Sequence, residues 1–186
     1  MNEIFSNPIL PDYEYIQSEI HVFGDRVYIY GSHDEFNGSV YCENDYVTWS
    51  ASVTDLTSWK YEGIIYKKAD HHFSPLKKGK SNLYAPDVAK GPDGKYYLYY
   101  SAADSGIISV ALSDCPTGPF SYYGDVKAAS GYVYGENSKQ FVLEFDPAVL
   151  VDGEKVYLYS GSGQKANEKN GHPVVGLSSE NSNQTC

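Results

Sequence analysis

At 186 residues the chain falls in the size range of one domain and can bury a real core. Fourteen lysines and arginines against 24 aspartates and glutamates leave a formal charge of −10, which repels phosphate-rich partners and sets nucleic acid and anionic membrane aside as ligands. Nineteen tyrosines point instead to β structure and to polar, uncharged ligands, because each ring offers a flat apolar face with a polar tip.

Residues 1–10 carry no cationic stretch followed by an apolar run of signal-peptide length, and no segment approaches the roughly 18 apolar residues of a membrane span. A cytoplasmic location is therefore expected. Cys42, Cys115 and Cys186 are odd in number and lack close metal-type spacing, so they are expected to be free thiols, with no metal site and no cofactor.

The predicted elements begin with a short strand at Ile20 to Phe23, a Gly24-Asp25 turn and a tyrosine-rich strand through Tyr30. Strands are expected next at Val40 to Cys42, Thr48 to Val53 and Trp59 to Tyr66, with turn chemistry at Asp34 to Gly38 and Pro75 to Asn82. Pro86 to Ala89 then leads through Asp93-Gly94 into Tyr96 to Tyr99, followed by Ile107 to Leu112, a loop at Cys115 to Pro119, and Phe120 to Val126. Pro147 to Val151, the Gly153-Glu154 turn and Val156 to Tyr159 repeat the opening hairpin a third time. No long stretch places apolar residues at i, i+3, i+4 and i+7, so helices should be scarce.

Aligned on Tyr28, Tyr97 and Tyr157, the three hairpins recur at spacings of 69 and 60 residues. About four strands per unit at such a period is the pattern of propeller blades. The expectation is an all-β partial propeller domain over 1–186, with blade 1 at about 7–70, blade 2 at about 82–130 and the start of blade 3 at about 140–175. The competing architecture is a β-sandwich that repeats tyrosine-rich strands. Propellers carry roughly four to eight blades, so a truncated ring is expected, with sheet edges and apolar blade faces that favour self-association.

The first strand of a blade lines the central channel. Gln17 and Asp146 lie eleven residues before Tyr28 and Tyr157, and Asp87 lies ten before Tyr97, so all three are expected at corresponding positions near one axis. Converging carboxylates suit glycoside hydrolysis, in which one protonates the leaving oxygen and another activates water on the opposite face of the sugar. Either aspartate alone could equally cap backbone N–H groups at a turn. Ser32-His33-Asp34 cannot form a triad from adjacent positions, although His33 could line the channel. Asp70, His71 and His72 are expected in a solvated loop.

The motifs Asn7-Pro8-Ile9-Leu10-Pro11, Gly24 to Asp34, Tyr84-Ala85-Pro86-Asp87-Val88 and Phe145-Asp146-Pro147-Ala148-Val149-Leu150 occur in the order of the blade openings of glycoside hydrolase family 43, and the chain resembles that family over residues 7 to about 163. The resemblance implies a five-bladed propeller and an inverting hydrolase acting on an oligosaccharide substrate, chiefly as a β-xylosidase, α-L-arabinofuranosidase or arabinanase. It assigns Asp146 to the aspartate that tunes and orients the general acid, and Asp87 to a channel-lining or substrate-contacting position. The base aspartate of the family falls on Gln17, whose amide cannot take a proton from water; Glu19, two residues along, is the nearby carboxylate that could substitute. No residue up to Cys186 matches the acid glutamate, and Glu168 and Glu180 read as solvated. A carbohydrate-binding propeller without turnover is the alternative, consistent with Gln17 and with aromatic platforms such as Trp49 and Trp59. A protein-interaction propeller has no positive signal.

Overall fold

The computed structural model describes residues 16–71, 82–103, 105–134, 144–162, 169 and 171. Among them, β1 (Ile16–Phe23), β2 (Arg26–His33), β3 (Tyr46–Ser52) and β4 (Asp55–Tyr66) form one antiparallel sheet in that order. A second four-stranded sheet contains β5 (Leu83–Lys90), β6 (Tyr96–Ala102), β7 (Ile108–Ser113) and β8 (Ser121–Asp125), and a third pairs β9 (Glu144–Asp152) with β10 (Lys155–Ser162). A 3-10 turn, Lys68–Asp70, follows β4. These are meandering propeller blades, packed so that the inner strand β5 lies between the inner strands β1 and β9.

The inner hairpins of the first and third sheets turn on Gly24 and Gly153, with φ of +65° and +61°. A two-residue hairpin turn needs positive φ at its first central position when it is of type II′, and glycine supplies it without a Cβ clash. The second sheet differs: Lys90 pairs with Tyr96, leaving a five-residue loop between them.

The tyrosines explain how the first two blades adhere. Tyr28, Tyr30, Tyr46, Tyr66, Tyr96 and Tyr100 are buried together with Leu83, Val88 and Leu98 in one cluster between the sheets. Each buried ring contributes about 2–3 kcal/mol of apolar transfer, provided its hydroxyl finds a partner. Tyr30 Oη donates to Pro116 O at 2.8 Å, Tyr46 Oη donates to Tyr84 O at 2.8 Å, and the hydroxyls of Tyr66 and Tyr100 bond to each other at 2.8 Å. All three bonds run from blade 1 to blade 2. A smaller cluster of Tyr99, Ile108, Val110, Val126 and Leu158 joins blade 2 to the third sheet.

Two expectations are corrected here. Val40 to Cys42 is not a strand: Asp34 Oδ1 accepts the Cys42 N–H at 2.6 Å, Asn44 N–H donates to His33 O at 2.9 Å, and Cys42 has φ +61°, so the segment is a loop organised by Asp34. His71 is not solvated. It is buried, with Nδ1 2.9 Å from Tyr100 Oη and its ring edge-on to Tyr100. His72, Glu168, Glu180 and Cys186 lie outside the described residues; Cys42 and Cys115 are free, the former buried and the latter exposed.

Candidate active site at the mouth of the inner strands

Strand pairing fixes which residues correspond between blades. Tyr28, Tyr97 and Tyr157 pair with His21, Ala89 and Leu150, so these positions are equivalent. Counting back two residues equates Glu19, Asp87 and Ala148; further back the register shifts of the second and third sheets, absent from the first, leave Tyr84 opposite Ser101 and Phe145 opposite Gly161 as Gln17 is opposite Ser32, so Gln17 corresponds to Tyr84 and Phe145. By that pairing Gln17 does not correspond to Asp146, which occupies a bulge, and two residues deeper than the bulge residue Ala85 stands Asp87. Its offset of ten residues is explained by the longer loop between β5 and β6.

Asp87 is accordingly held at the seam of the inner strands. It is 3% exposed. One carboxylate oxygen lies 2.6 Å from His21 Nε2 on β1, and the other accepts the Val149 N–H of β9 at 2.5 Å. The aspartate expected to line the channel or contact substrate thus stands buried between three inner strands.

Asp146 is the third residue of β9, immediately before Pro147, with φ +49°. Ala85 is the third residue of β5, before Pro86 and with φ +42°, so the same kink recurs in consecutive blades. A non-glycine residue in the left-handed region costs about 1–2 kcal/mol, and aspartate tolerates it better than most. Each kink coincides with a register shift, between Tyr84 and Asp87 in one blade and between Tyr159 and Gly161 in the other. The bulge turns the residue before proline out of the ladder, and in β9 that residue carries a carboxylate. The Asp146 side chain is open to solvent on one side, yet neighbouring protein removes enough water to push its carboxyl above the usual aspartate value.

Aromatic residues precede both kinks. Tyr84 and Phe145, the residues one step before the two kinks, are half-buried, with ring centroids 5.6 Å apart and planes tilted by 53°. Blade 1 supplies another wall. Burial raises the Cys42 thiol; a hydrogen bond with Ser32 opposes that rise, and the Asp34 and Asp146 carboxylates add to it. Cys42 therefore sits within electrostatic reach of Asp146. Sequence reasoning overlooked Tyr84, Phe145 and Cys42. The available signal was an aromatic residue two positions before proline in both motifs.

In blade 1, Gln17 pairs with Ser32 at the mouth end of β1, and His33 ends β2 half-buried opposite Ile16. Glu19 pairs with Tyr30, is exposed, and lies on the same side of β1 as His21 by strand alternation. The structure thus brings Asp146, an aromatic pair and the blade 1 loop together at one mouth. Asp87 is withdrawn beneath them.

The sequence profile of glycosyl hydrolases family 43 matches residues 5–183. A xylosidase/arabinosidase of Thermoclostridium stercorarium is 53% identical over 156 residues, covering 83% of this chain and 32% of that protein. Xylosidase/arabinosidase 43A of Humicola insolens is 35% identical over 166 residues, covering 83% of this chain and 45% of the relative. Among crystal structures, RS223 β-xylosidase superimposes with a TM-score of 0.60 at 28% identity, covering 81% of this chain and 44% of that one. A family 43 enzyme of Xanthomonas citri complexed with xylotriose gives 0.59 at 28% identity, covering 81% and 41%. The chain therefore spans less than half the length of these relatives. With the profile matching nearly all of its sequence and the blades superimposing on those of known members, this chain belongs to glycosyl hydrolases family 43.

Proposed function

We propose that this chain supplies the acid-orienting carboxylate, Asp146, and the aromatic wall of a subsite for a pentosyl unit, within a glycoside hydrolase of the xylosidase and arabinofuranosidase kind. The observation that carries the reading is the kink at Asp146: a left-handed backbone before proline turns it out of the ladder near the start of β9, directly after Phe145, whose ring packs on Tyr84. A carboxylate fixed there keeps a neighbouring acid protonated by like-charge proximity, so that the acid can protonate the leaving oxygen. The identity to a xylosidase/arabinosidase and the likeness to a xylotriose complex support a pentosyl oligosaccharide as the ligand.

The catalytic pair is incomplete in this sequence. Gln17 stands at the base position, and no residue up to Cys186 matches the acid glutamate. Glu19 is the substitute base in this proposal, because it is exposed on the same strand. Gln17 also favours a second reading, sugar binding without turnover. Self-association belongs to the proposal as well, supported by Ile20 and Val22 at one end of the sheet stack and Leu150 and Tyr159 at the other, all more than half exposed.

Calorimetric binding of xylotriose, run beside nitrophenol release from aryl β-xyloside and α-L-arabinofuranoside, tests the reading. Binding with negligible turnover by the chain, and turnover once it is joined to the remaining part of its 53%-identical relative, is the expected result. Binding with no turnover from that chimera, even with Gln17→Asp, would leave the second reading. Absence of binding and of turnover in both would reject the proposal.

A further inference from the structure

We propose that Asp87 is a positioning residue: by tying β1 and β9 to β5, it sets where Asp146 stands relative to the first-blade strand that carries Gln17 and Glu19. The proposal rests on the reading of Asp146 given above. Of the three inner strands, β5 has an inner strand on each side, and Asp87 uses one oxygen toward each. The equivalent residues of the outer two are Glu19, which is exposed, and Ala148, which has no polar side chain.

The direction of the two contacts matters more than their strength. Apolar packing holds blades together without fixing their height, because it is non-directional. A carboxylate oxygen on one particular backbone N–H fixes the register of the strand. Val149 lies three residues beyond Asp146, about 10 Å along an extended strand, and the kink at Asp146-Pro147 stands between them. Anchoring the Val149 N–H therefore determines where the kink presents its carboxylate. His21, stacked on Phe23 with centroids 5.8 Å apart, holds the blade 1 end of the same link. With Asp87 withdrawn from solvent and engaged on both sides, its effect on chemistry passes through Asp146.

The test is the titration of the Asp146 carboxyl carbon by NMR in the full chain, assigned with Asp146→Asn. It is followed in the wild type, Asp87→Ala and Asp87→Glu, each checked for native circular dichroism. Asp87→Glu keeps the negative charge but adds a methylene, so any change it causes reports displacement of β9 and not loss of the Asp87 field. Both variants are expected to move the Asp146 midpoint down toward the ordinary aspartate value as β9 shifts and water reaches the carboxyl. Should Asp87→Ala fail to fold, the milder Asp87→Glu decides. A folded Asp87→Glu variant in which Asp146 titrates as in the wild type overturns the proposal. Xylotriose binding by the wild-type chain is measured alongside; its absence counts against the functional reading alone, since the titration still reports positioning.

Discussion

Tyr100→Phe removes a single oxygen from the most deeply buried polar junction between the first two blades. Tyr100 is wholly buried, and its hydroxyl lies 2.8 Å from Tyr66 Oη and 2.9 Å from His71 Nδ1. Burial pushes the Tyr66 phenol up to about 12, partly offset by its bond to Tyr100, and drives the Tyr100 phenol higher still, so both hydroxyls are neutral at any working pH. Loss of the Tyr100 oxygen deprives two buried groups of a partner at once, at about 1–3 kcal/mol each, and the expected destabilisation is about 3 kcal/mol. Tyr66→Phe leaves Tyr100 bonded to His71 and should cost only about 1 kcal/mol. The double variant should then cost less than the sum, with a coupling of about 1 kcal/mol. At about 2–4 °C per kcal/mol for a chain of this length, Tyr100→Phe lowers the melting midpoint by about 6–12 °C. Urea titration followed by tyrosine fluorescence measures all three variants. A Tyr100→Phe cost within about 0.5 kcal/mol of zero would refute the reasoning, since that is the range of ordinary surface changes.

Asp146→Asn should stabilise the chain at neutral pH. The folded carboxyl is raised by lost hydration, so the folded state holds its proton to higher pH than the unfolded state, and stability falls as pH rises from the unfolded aspartate value of 3.8 through the folded midpoint. Asparagine tolerates the same positive φ and carries no charge, so its advantage is fully present above that window and absent below about pH 3, as paired urea titrations at the two pH values would detect. The unmodified chain should give no appreciable nitrophenol release, and Gln17→Asp alone should not restore it, because an acid and a base are each worth roughly 10²–10⁴-fold; clear turnover abolished by Asp146→Asn would mean the acid or the base has been misassigned. Sedimentation velocity should find self-association that Ile20→Lys with Leu150→Lys reduces, both residues lying on exposed apolar ends of the sheet stack.

The architecture was legible because propeller blades repeat. Three tyrosine-rich hairpins, each opened by a glycine-containing turn, announced the inner strands, and alternation along them set which faces are buried. Legibility failed where chain length and local capping override pattern. The longer loop before Tyr96 adds a residue to the offset of Asp87, which brings it close to that of Asp146 although Asp87 stands two residues beyond the kink residue of its own strand, and offsets counted from Tyr97 cannot reveal that without the pairing. Val40 to Cys42 is apolar enough to suggest a strand, yet one carboxylate, Asp34, draws the backbone into a loop. His71 sits in a polar stretch of sequence, but Tyr100 offers its ring nitrogen a buried hydroxyl from another blade. Loop length decides the first, a local cap the second and a partner distant in sequence the third. The kink at Asp146 was half visible: an aspartate before proline at a strand opening is legible, its left-handed φ is not.

The most direct test of the account maps xylotriose onto the chain by NMR, following the backbone and side-chain signals of Tyr84, Phe145 and Asp146 together with those of Val110 and Val126 at the blade 2 to blade 3 interface. The account predicts saturable shifts at Tyr84, Phe145 and Asp146, lost on Tyr84→Ala with Phe145→Ala, and none at the interface valines. Saturable shifts confined to residues away from the mouth, or undiminished binding after both rings are removed, would contradict it.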